Sequence, residues 1–254
     1  MPINAITSTT STEVPTNEEF RALEEKVAKL TPSTSNVKER PWEVVVTEGF
    51  NDAAIKAGMD EVLSSKNGNA VRKTLVLPPG DFRLKNPLLT QSLSSNSQVE
   101  GVSVRGQGKR LTKLILENAP VASTDPWANN FISAHGLRFF TLQDFTVVSN
   151  NDNNNFAYLW SLATGPYNQE WNIKSVEFQG AWNRVIGLDG DATANLNSEM
   201  VIDRTSTATN SRFKDAFFRS GGISGPYNQQ NQFLNYWVTN SQFALTQGTL
   251  FRID

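Results

Sequence analysis

The sequence contains no cysteine and a single histidine in its 254 residues. Without thiols the chain has no disulfide framework, no thiolate nucleophile and no cysteine metal site. One histidine, His135, excludes a histidine-rich metal site, and the stretch Ser-Ala-His-Gly-Leu around it shows no nucleophile motif. We therefore expect His135 to be a core or surface residue, and we predict neither a metal nor a cofactor.

Long apolar runs and an excess of basic residues are also missing. No stretch approaches the roughly 20 apolar residues of a membrane helix, and the first residues lack the basic and apolar regions of a signal peptide. The formal net charge is −2, so no basic footprint argues for nucleic acid. These absences predict no membrane insertion and no nucleic-acid partner. They also predict a protein that stays inside the cell or leaves it by another route, such as a virus particle.

Short polar residues are abundant instead, and they divide the chain into regions. Residues 1–15 are rich in Thr and Ser and are predicted to form an N-terminal arm, disordered alone or ordered by a partner. Residues 16–31 begin with a capping box, Thr16 with Glu19. This predicts a short helix whose apolar stripe packs on its own domain or on copies of itself as a coiled coil. The stripe residues, our predicted trimer interface, are Phe20, Leu23, Val27 and Leu30. Residues 32–41 are read as a linker.

A repeat of about 30 residues dominates the second half of the sequence. The segment GPYNQ occurs at residues 165–169 and again at 225–229. A related pattern aligns residues 167–173 with 196–202 and 227–233, and two further registers align 209–213 with 239–243 and 217–219 with 250–252. Stacked units of several short strands explain such a period, because no single unit can bury its own apolar face. We therefore predict a parallel β-helix with Asn168, Asn197 and Asn228 forming a ladder inside one turn.

Before the repeats, three stretches resemble a known family. They are Phe50-Asn-Asp-Ala-Ala-Ile55, Thr74-Leu-Val-Leu-Pro-Pro-Gly-Asp-Phe-Arg-Leu84 and Val102-Ser-Val-Arg-Gly-Gln-Gly108. They are similar to the start of pectate-lyase-like right-handed β-helices, a start that phage tailspikes share. The resemblance covers roughly residues 42–254. It implies a mainly β chain, with the start of the β-helix and its capping helix at 42–98 and right-handed parallel coils at 99–254, preceded by the short N-terminal helix.

The tailspike resemblance also implies a function. We expect a homotrimer in the virion, on the phage tail, that recognises host surface polysaccharide and contacts other tail or capsid proteins through its N-terminal arm. Two alternatives stay open: a polysaccharide depolymerase, either an endoglycosidase or a lyase, and a non-enzymatic capsid decoration protein. Family members usually continue with more coils and a C-terminal domain. We therefore expect this chain to be an N-terminal portion of a longer protein or to be capped by a partner.

Carboxylates are the candidate catalytic groups. The repeat stacks Glu170 on Glu199, with Gln230 on the next coil, at about the 4.8 Å spacing of neighbouring strands. Glycosidases hold two carboxyl groups at about that separation or wider. Asp144 and Glu177 are predicted to form a second stack, because each precedes a phenylalanine. For both pairs the alternative is that the side chains lie in water beside a turn.

Aromatic residues are the candidate substrate-binding groups, since aromatic faces can stack on sugar rings. The ones that the repeat singles out are Tyr167, Trp171, Tyr227 and Trp237. Leu196 replaces tyrosine in the middle copy of the repeat, which favours a core position as the alternative.

Asp189 and Asp191 flank Gly190 and could hold a cation, but a turn of this composition needs no metal.

Overall fold

The structure is a computed structural model, and it describes residues 37–40, 42–47, 51–90, 98–117, 130–161, 167–190, 197–221 and 235–253. The N-terminal arm, the predicted helix at 16–31 with its four stripe residues, and most of the linker lie outside these ranges. So do Tyr227, Asn228, Gln230 and Asp191. Among the described residues, no helix is long and apolar enough to cross a membrane.

One short helix and eighteen strands make up the described part of the chain. The helix, α1, is Asp52–Ser64. The strands are β1 Val37–Arg40, β2 Glu43–Val46, β3 Thr74–Val76, β4 Gly80–Leu84, β5 Leu89–Thr90, β6 Val99–Glu100, β7 Ser103–Arg105, β8 Thr112–Leu116, β9 Asn130–Ala134, β10 Leu137–Arg138, β11 Thr141–Asn150, β12 Asn155–Ser161, β13 Asn168–Gly190, β14 Asn197–Asp203, β15 Ser206–Thr207, β16 Arg212–Ser220, β17 Tyr236–Thr239 and β18 Gln247–Ile253.

Parallel pairing organises these strands into three walls of a β-helix. The first wall stacks β2, β3, β7, the start of β11, β13, β14 and β17. The second stacks β4, β8, the end of β11, the middle of β13 and β15. The third stacks β5, β9, β12, the end of β13, β16 and β18. The stack makes about five turns with coils about 31 residues apart, so the predicted mainly β parallel β-helix is confirmed.

Columns of apolar side chains fill the interior, one residue from each coil. In the first wall the buried column is Val44, Leu75, Val104, Leu142, Ile173 and Ile202. A second column is aromatic, and Phe178 makes edge-to-face contacts with Phe156 and Phe217, with ring centroids 5.0 and 5.6 Å apart. Because each coil covers the apolar side chains of the next, the core is continuous along the stack.

The helix α1 covers the start of the stack. The side chain of Asn51 accepts a hydrogen bond from Ala54 N at 3.1 Å and so caps the helix. The Asp52 carboxylate accepts bonds from Lys85 N, at 2.7 and 2.8 Å, and so anchors the following loop. A Cβ added to Gly58 would lie 2.6 Å from Leu75 Cδ1, which shows how closely the helix approaches the first wall. The residues that carry the family resemblance thus have structural roles here.

A buried pair of asparagines forms the ladder that the repeat predicts. Asn168 pairs with Asn197 in register, and both side chains are about 1% exposed. Asn168 Nδ2 donates to Asn197 Oδ1 at 2.8 Å and to Trp160 O at 2.9 Å, while Asn168 Oδ1 accepts from Leu137 N at 2.9 Å. The first step of the ladder is confirmed, and Asn228 lies outside the described residues.

Two of the predicted repeat registers are wrong beyond Asn197. Met200 pairs with Tyr236, whereas the predicted alignment of 196–202 with 227–233 sets it beside residue 231. Gln242 bridges to Ser206 while Arg212 pairs with Gln247, which overturns the alignment of 209–213 with 239–243. The third register is confirmed, because Phe218 pairs with Phe251 and Arg219 with Arg252. Loop lengths differ from coil to coil, so a constant period misplaces the later coils.

Candidate functional site

One turn of the β-helix holds a residue with positive φ in each of five successive coils. These residues, which we call the turn row, are Gly101, Phe139, Glu170, Glu199 and Asn235, with φ between 53° and 85°. Each directly follows or precedes a residue paired with its counterpart in the adjacent coil. The left-handed backbone breaks the in–out alternation of the strands at this position.

The predicted stack of Glu170 and Glu199 is confirmed. Gln169 pairs with Ser198 and Trp171 with Met200, so the two glutamates occupy equivalent positions in adjacent coils. Both side chains are partly exposed. The next residue of the row is Asn235, with φ 59°, and not the predicted Gln230. The catalytic role of the two carboxylates stays a prediction.

Arg138 contacts two members of the turn row, Phe139 and Glu170, and also Glu100, which precedes the row's Gly101. Arg138 Nη1 lies 3.5 Å from Glu100 Oε1 and Nη2 lies 3.8 Å from Glu170 Oε1. Its guanidinium carbon is 5.0 Å from the centroid of the Phe139 ring, within the range of a cation–π contact. Arg138 thus holds one aromatic and one carboxylate of the row in a fixed relation.

The predicted sugar-binding aromatics lie in very different environments. Trp171 is 1% exposed, packs on Phe140 and donates from Nε1 to Leu137 O at 3.0 Å. A side chain so deeply buried cannot stack on a sugar, so the prediction for Trp171 is corrected to a core role. Tyr167 is half-buried, and its backbone is held by Gln98 through bonds of 2.9 and 3.1 Å. Trp237 is 48% exposed, on the outer side of the coil that follows Glu199.

Asp144 and Glu177 do not form the predicted stack. Phe145 pairs with Val176, and Glu177 is level with Thr146 instead. Asp144 belongs to a second left-handed turn, with φ 63°, and Glu177 accepts a hydrogen bond from Gln179 Nε2 at 2.8 Å. The prediction set the two acids level because each precedes a phenylalanine. The observed register differs from that alignment by two positions.

Lys109 lies across the outside of three coils next to these two carboxylates. Thr146 Oγ1 donates to Lys109 O, and Lys109 Nζ donates to Arg204 O and, at 3.2 Å, to Ser206 Oγ. Burial lowers the pKa of Lys109 from its usual value, although Glu177 and Asp144 oppose that shift. These contacts give the lysine a bracing role across the coils.

A group of charged residues lies on the third wall, and the sequence did not predict it. The Asp215 carboxylate lies 3.0 Å from Arg219 Nη1, 3.3 Å from Arg184 Nε and 3.4 Å from Arg252 Nη1. The side chains of Asp215, Arg184 and Arg219 are 9%, 12% and 13% exposed, whereas that of Arg252 is 49% exposed. One carboxylate thus holds three guanidinium groups from three coils, which indicates a structural clamp.

His135 is buried in the core of the β-helix. It is 0% exposed, and its Nδ1 lies 3.0 Å from Trp160 O, so Nδ1 carries the proton of the neutral ring. Burial lowers the pKa of His135 below 6.5, and the bond to Trp160 only partly offsets that. His135 therefore lies in the core, which is one of the two positions expected from the sequence.

We expect the wild-type protein to lose stability as the pH falls below 6.5, because the unfolded histidine then binds a proton that the folded one does not. The slope from this residue reaches at most about 1.4 kcal/mol per pH unit. Urea unfolding between pH 7.5 and 5 checks this, with His135→Gln as the control in which that part of the slope disappears. Parallel pH profiles for the two proteins would contradict the prediction.

Comparison with known proteins gives no relative from which to transfer a role. No protein-family model matches the chain, and neither a curated protein nor a solved structure shows significant similarity to it. Within the described ranges, no three His, Asp or Glu side chains converge in a way that could hold a metal ion. The function proposed below is therefore based on the turn row and the residues next to it.

Proposed function

We propose that the protein is a phage tailspike, or the virion-proximal part of one, which forms a homotrimer and recognises polysaccharide on the host surface. In this proposal the N-terminal arm binds another tail or capsid protein, and the stripe of the helix at 16–31 joins three chains. The β-helix is the rigid part of the spike, and its outer side carries the binding surface.

One observation carries the proposal. Two exposed aromatic residues lie on the coils that flank the stacked carboxylates Glu170 and Glu199: Phe139 in the turn row, and Trp237 two residues beyond the row's Asn235. The four residues come from four successive coils, so the arrangement spans about 14 Å, or three strand spacings of ~4.8 Å. Aromatic faces for sugar rings and carboxylates for hydroxyl groups are suitable partners for a linear chain of sugars. The in-register stacking repeats these groups at a spacing similar to the length of one sugar unit.

The test combines mass and binding. We expect light scattering on the purified full chain to give the mass of a trimer, and Leu23→Asp to give a smaller species. We expect the trimer to bind polysaccharide extracted from the host surface when that polymer is immobilised on a sensor. A monomeric wild type would overturn the trimer, and an absence of binding to any host polysaccharide would overturn the recognition function.

A second candidate function is favoured by the confirmed glutamate stack. Two carboxyl groups in register on adjacent coils can act as an acid and a base for cleavage of a glycosidic bond. The protein would then be a depolymerase that cuts the polymer it binds.

For this candidate we expect Glu170→Gln and Glu199→Gln each to reduce the rate of polymer cleavage by about 100-fold or more. The release of reducing ends, or of unsaturated products from a lyase, measures that rate. Glu117→Gln is the matched control, since Glu117 lies on another wall in an ion pair with Arg83 at 2.7 Å. Equal rates in all four proteins would exclude this pair as the catalytic groups.

A further inference from the structure

Phe139 has a backbone conformation that its side chain disfavours. Its φ is 53°, and it is the aromatic member among the described non-glycine residues with positive φ. A left-handed conformation costs most residues roughly 1–2 kcal/mol, and it is unusual for a bulky one. Glycine and asparagine are the residues that accept it most readily.

The other coils show that the turn itself does not require an aromatic residue. The equivalent position is glycine at Gly101 and asparagine at Asn235. The Phe139 side chain is 42% exposed, whereas its neighbour Phe140 is fully buried in the core. Phe139 is thus strained and partly exposed at once, which is a combination that folding alone does not favour.

The neighbouring contacts hold the exposed ring in place. The Arg138 guanidinium lies against the ring and is itself positioned by Glu100 and Glu170. A ring fixed before binding loses little conformational entropy when a ligand stacks on it. Strain that the fold tolerates, together with a fixed orientation, is typical of a binding residue.

The charge along the row indicates which polymer it would accept. The row itself holds two carboxylates, Glu170 and Glu199, and the adjacent Glu100 and Arg138 form an ion pair, so this part of the surface carries a net charge of −2. Such a surface repels a polymer that carries carboxylate or phosphate groups. Neutral sugars can instead donate their hydroxyl protons to the carboxylates.

We propose that Phe139 is a sugar-binding platform on which the apolar face of a neutral pyranose stacks, at one end of a segment of about three sugar units along the turn row. The inference rests on the proposed polysaccharide recognition and adds to it the contact residue and the class of polymer. The segment length follows from the ~14 Å along the stack that separates the coil of Phe139 from the coil of Trp237.

The experiment compares four forms of the full chain: wild type, Phe139→Asn, Phe139→Tyr and Trp42→Ala. Trp42 is an exposed aromatic, at 67%, next to the antiparallel pair of β1 and β2, and serves as the control. Binding to immobilised neutral and acidic host polysaccharides is measured for each form, and the midpoint of chemical unfolding is measured in parallel.

We expect Phe139→Asn to bind the neutral polymer about tenfold more weakly, while Phe139→Tyr and Trp42→Ala bind like wild type. The unfolding midpoint of Phe139→Asn should not be lower than that of wild type, because asparagine accepts the left-handed turn. Unchanged binding by Phe139→Asn, a lower midpoint for it, or a preference of wild type for the acidic polymer would overturn this inference alone. Failure of wild type to bind any host polysaccharide would overturn the proposed function as well.

Discussion

Asp215→Ala is expected to lower the free energy of unfolding by about 3–5 kcal/mol, the largest effect that we predict for a single charged residue. The reason is the position of its carboxylate between Arg184 and Arg219, whose side chains are 12% and 13% exposed. Removing the carboxylate leaves two guanidinium groups close together and poorly solvated. Burial lowers the pKa of Arg184, and the Asp215 carboxylate opposes that shift.

Two further variants separate the clamp from general loss of contacts. Arg252→Ala should cost less than about 1 kcal/mol, because that side chain is 49% exposed and an exposed ion pair contributes little. The double variant Asp215→Leu with Arg219→Met should be less destabilised than Asp215→Ala, since it leaves fewer unpaired charges behind. Equilibrium unfolding in urea gives all three values. If Asp215→Ala were no more destabilised than Arg252→Ala, the carboxylate would not act as a clamp.

Asn168→Ala is the second large effect, and we expect it to cost about 2–4 kcal/mol. The substitution removes the acceptor of Leu137 N–H and the donors to Trp160 O and Asn197 Oδ1, all inside the β-helix. A buried polar group that loses a hydrogen bond costs about 1–3 kcal/mol, although Trp160 O keeps its bond to His135 Nδ1 and partial relaxation of the turn reduces the sum.

Asn172→Ala is the matched control for the ladder. Asn172 lies four residues further along the same strand and is partly exposed, and its side chain donates to Glu170 O at 3.3 Å. We expect it to cost less than about 1 kcal/mol in the same unfolding experiment. Equal losses for Asn168→Ala and Asn172→Ala would mean that the buried ladder contributes no more than a surface hydrogen bond.

Much of the fold was predictable because it depends on periodic features. The recurrence of residues 167–173 at 196–202 fixes both the coil length and the pairing of Asn168 with Asn197. The alternation in the short strands predicts which side chains enter the core, and Asn51 with Asp52 marks the start of α1. Stacking of Glu170 on Glu199 follows from the same period.

The rest depends on local irregularities that periodicity cannot show. The left-handed turn rotates Phe139 out of the core although it precedes Phe140, and the sequence gives both residues the same apolar character. Asp215 meets Arg184 beside an irregularity in the pairing of β13 with β16, between Trp182 and Arg184. The second copy of GPYNQ misled the alignment, since Met200 pairs with Tyr236, which is 36 residues later, and Trp171 with Met200, which is 29 residues later.

The coil spacing of about 31 residues also has a kinetic consequence. Apart from the antiparallel β1 and β2, nearly every pairing of the β-helix closes a loop of similar, substantial length, so few contacts are local and folding is expected to be slow. Each coil pairs its strands with those of the coils on either side of it, so folding can advance from one formed coil to the next. The region under α1, where a helix and the first coils pack together, is the natural place for that growth to begin. A substitution that delays one coil should therefore slow the folding of every coil that forms after it.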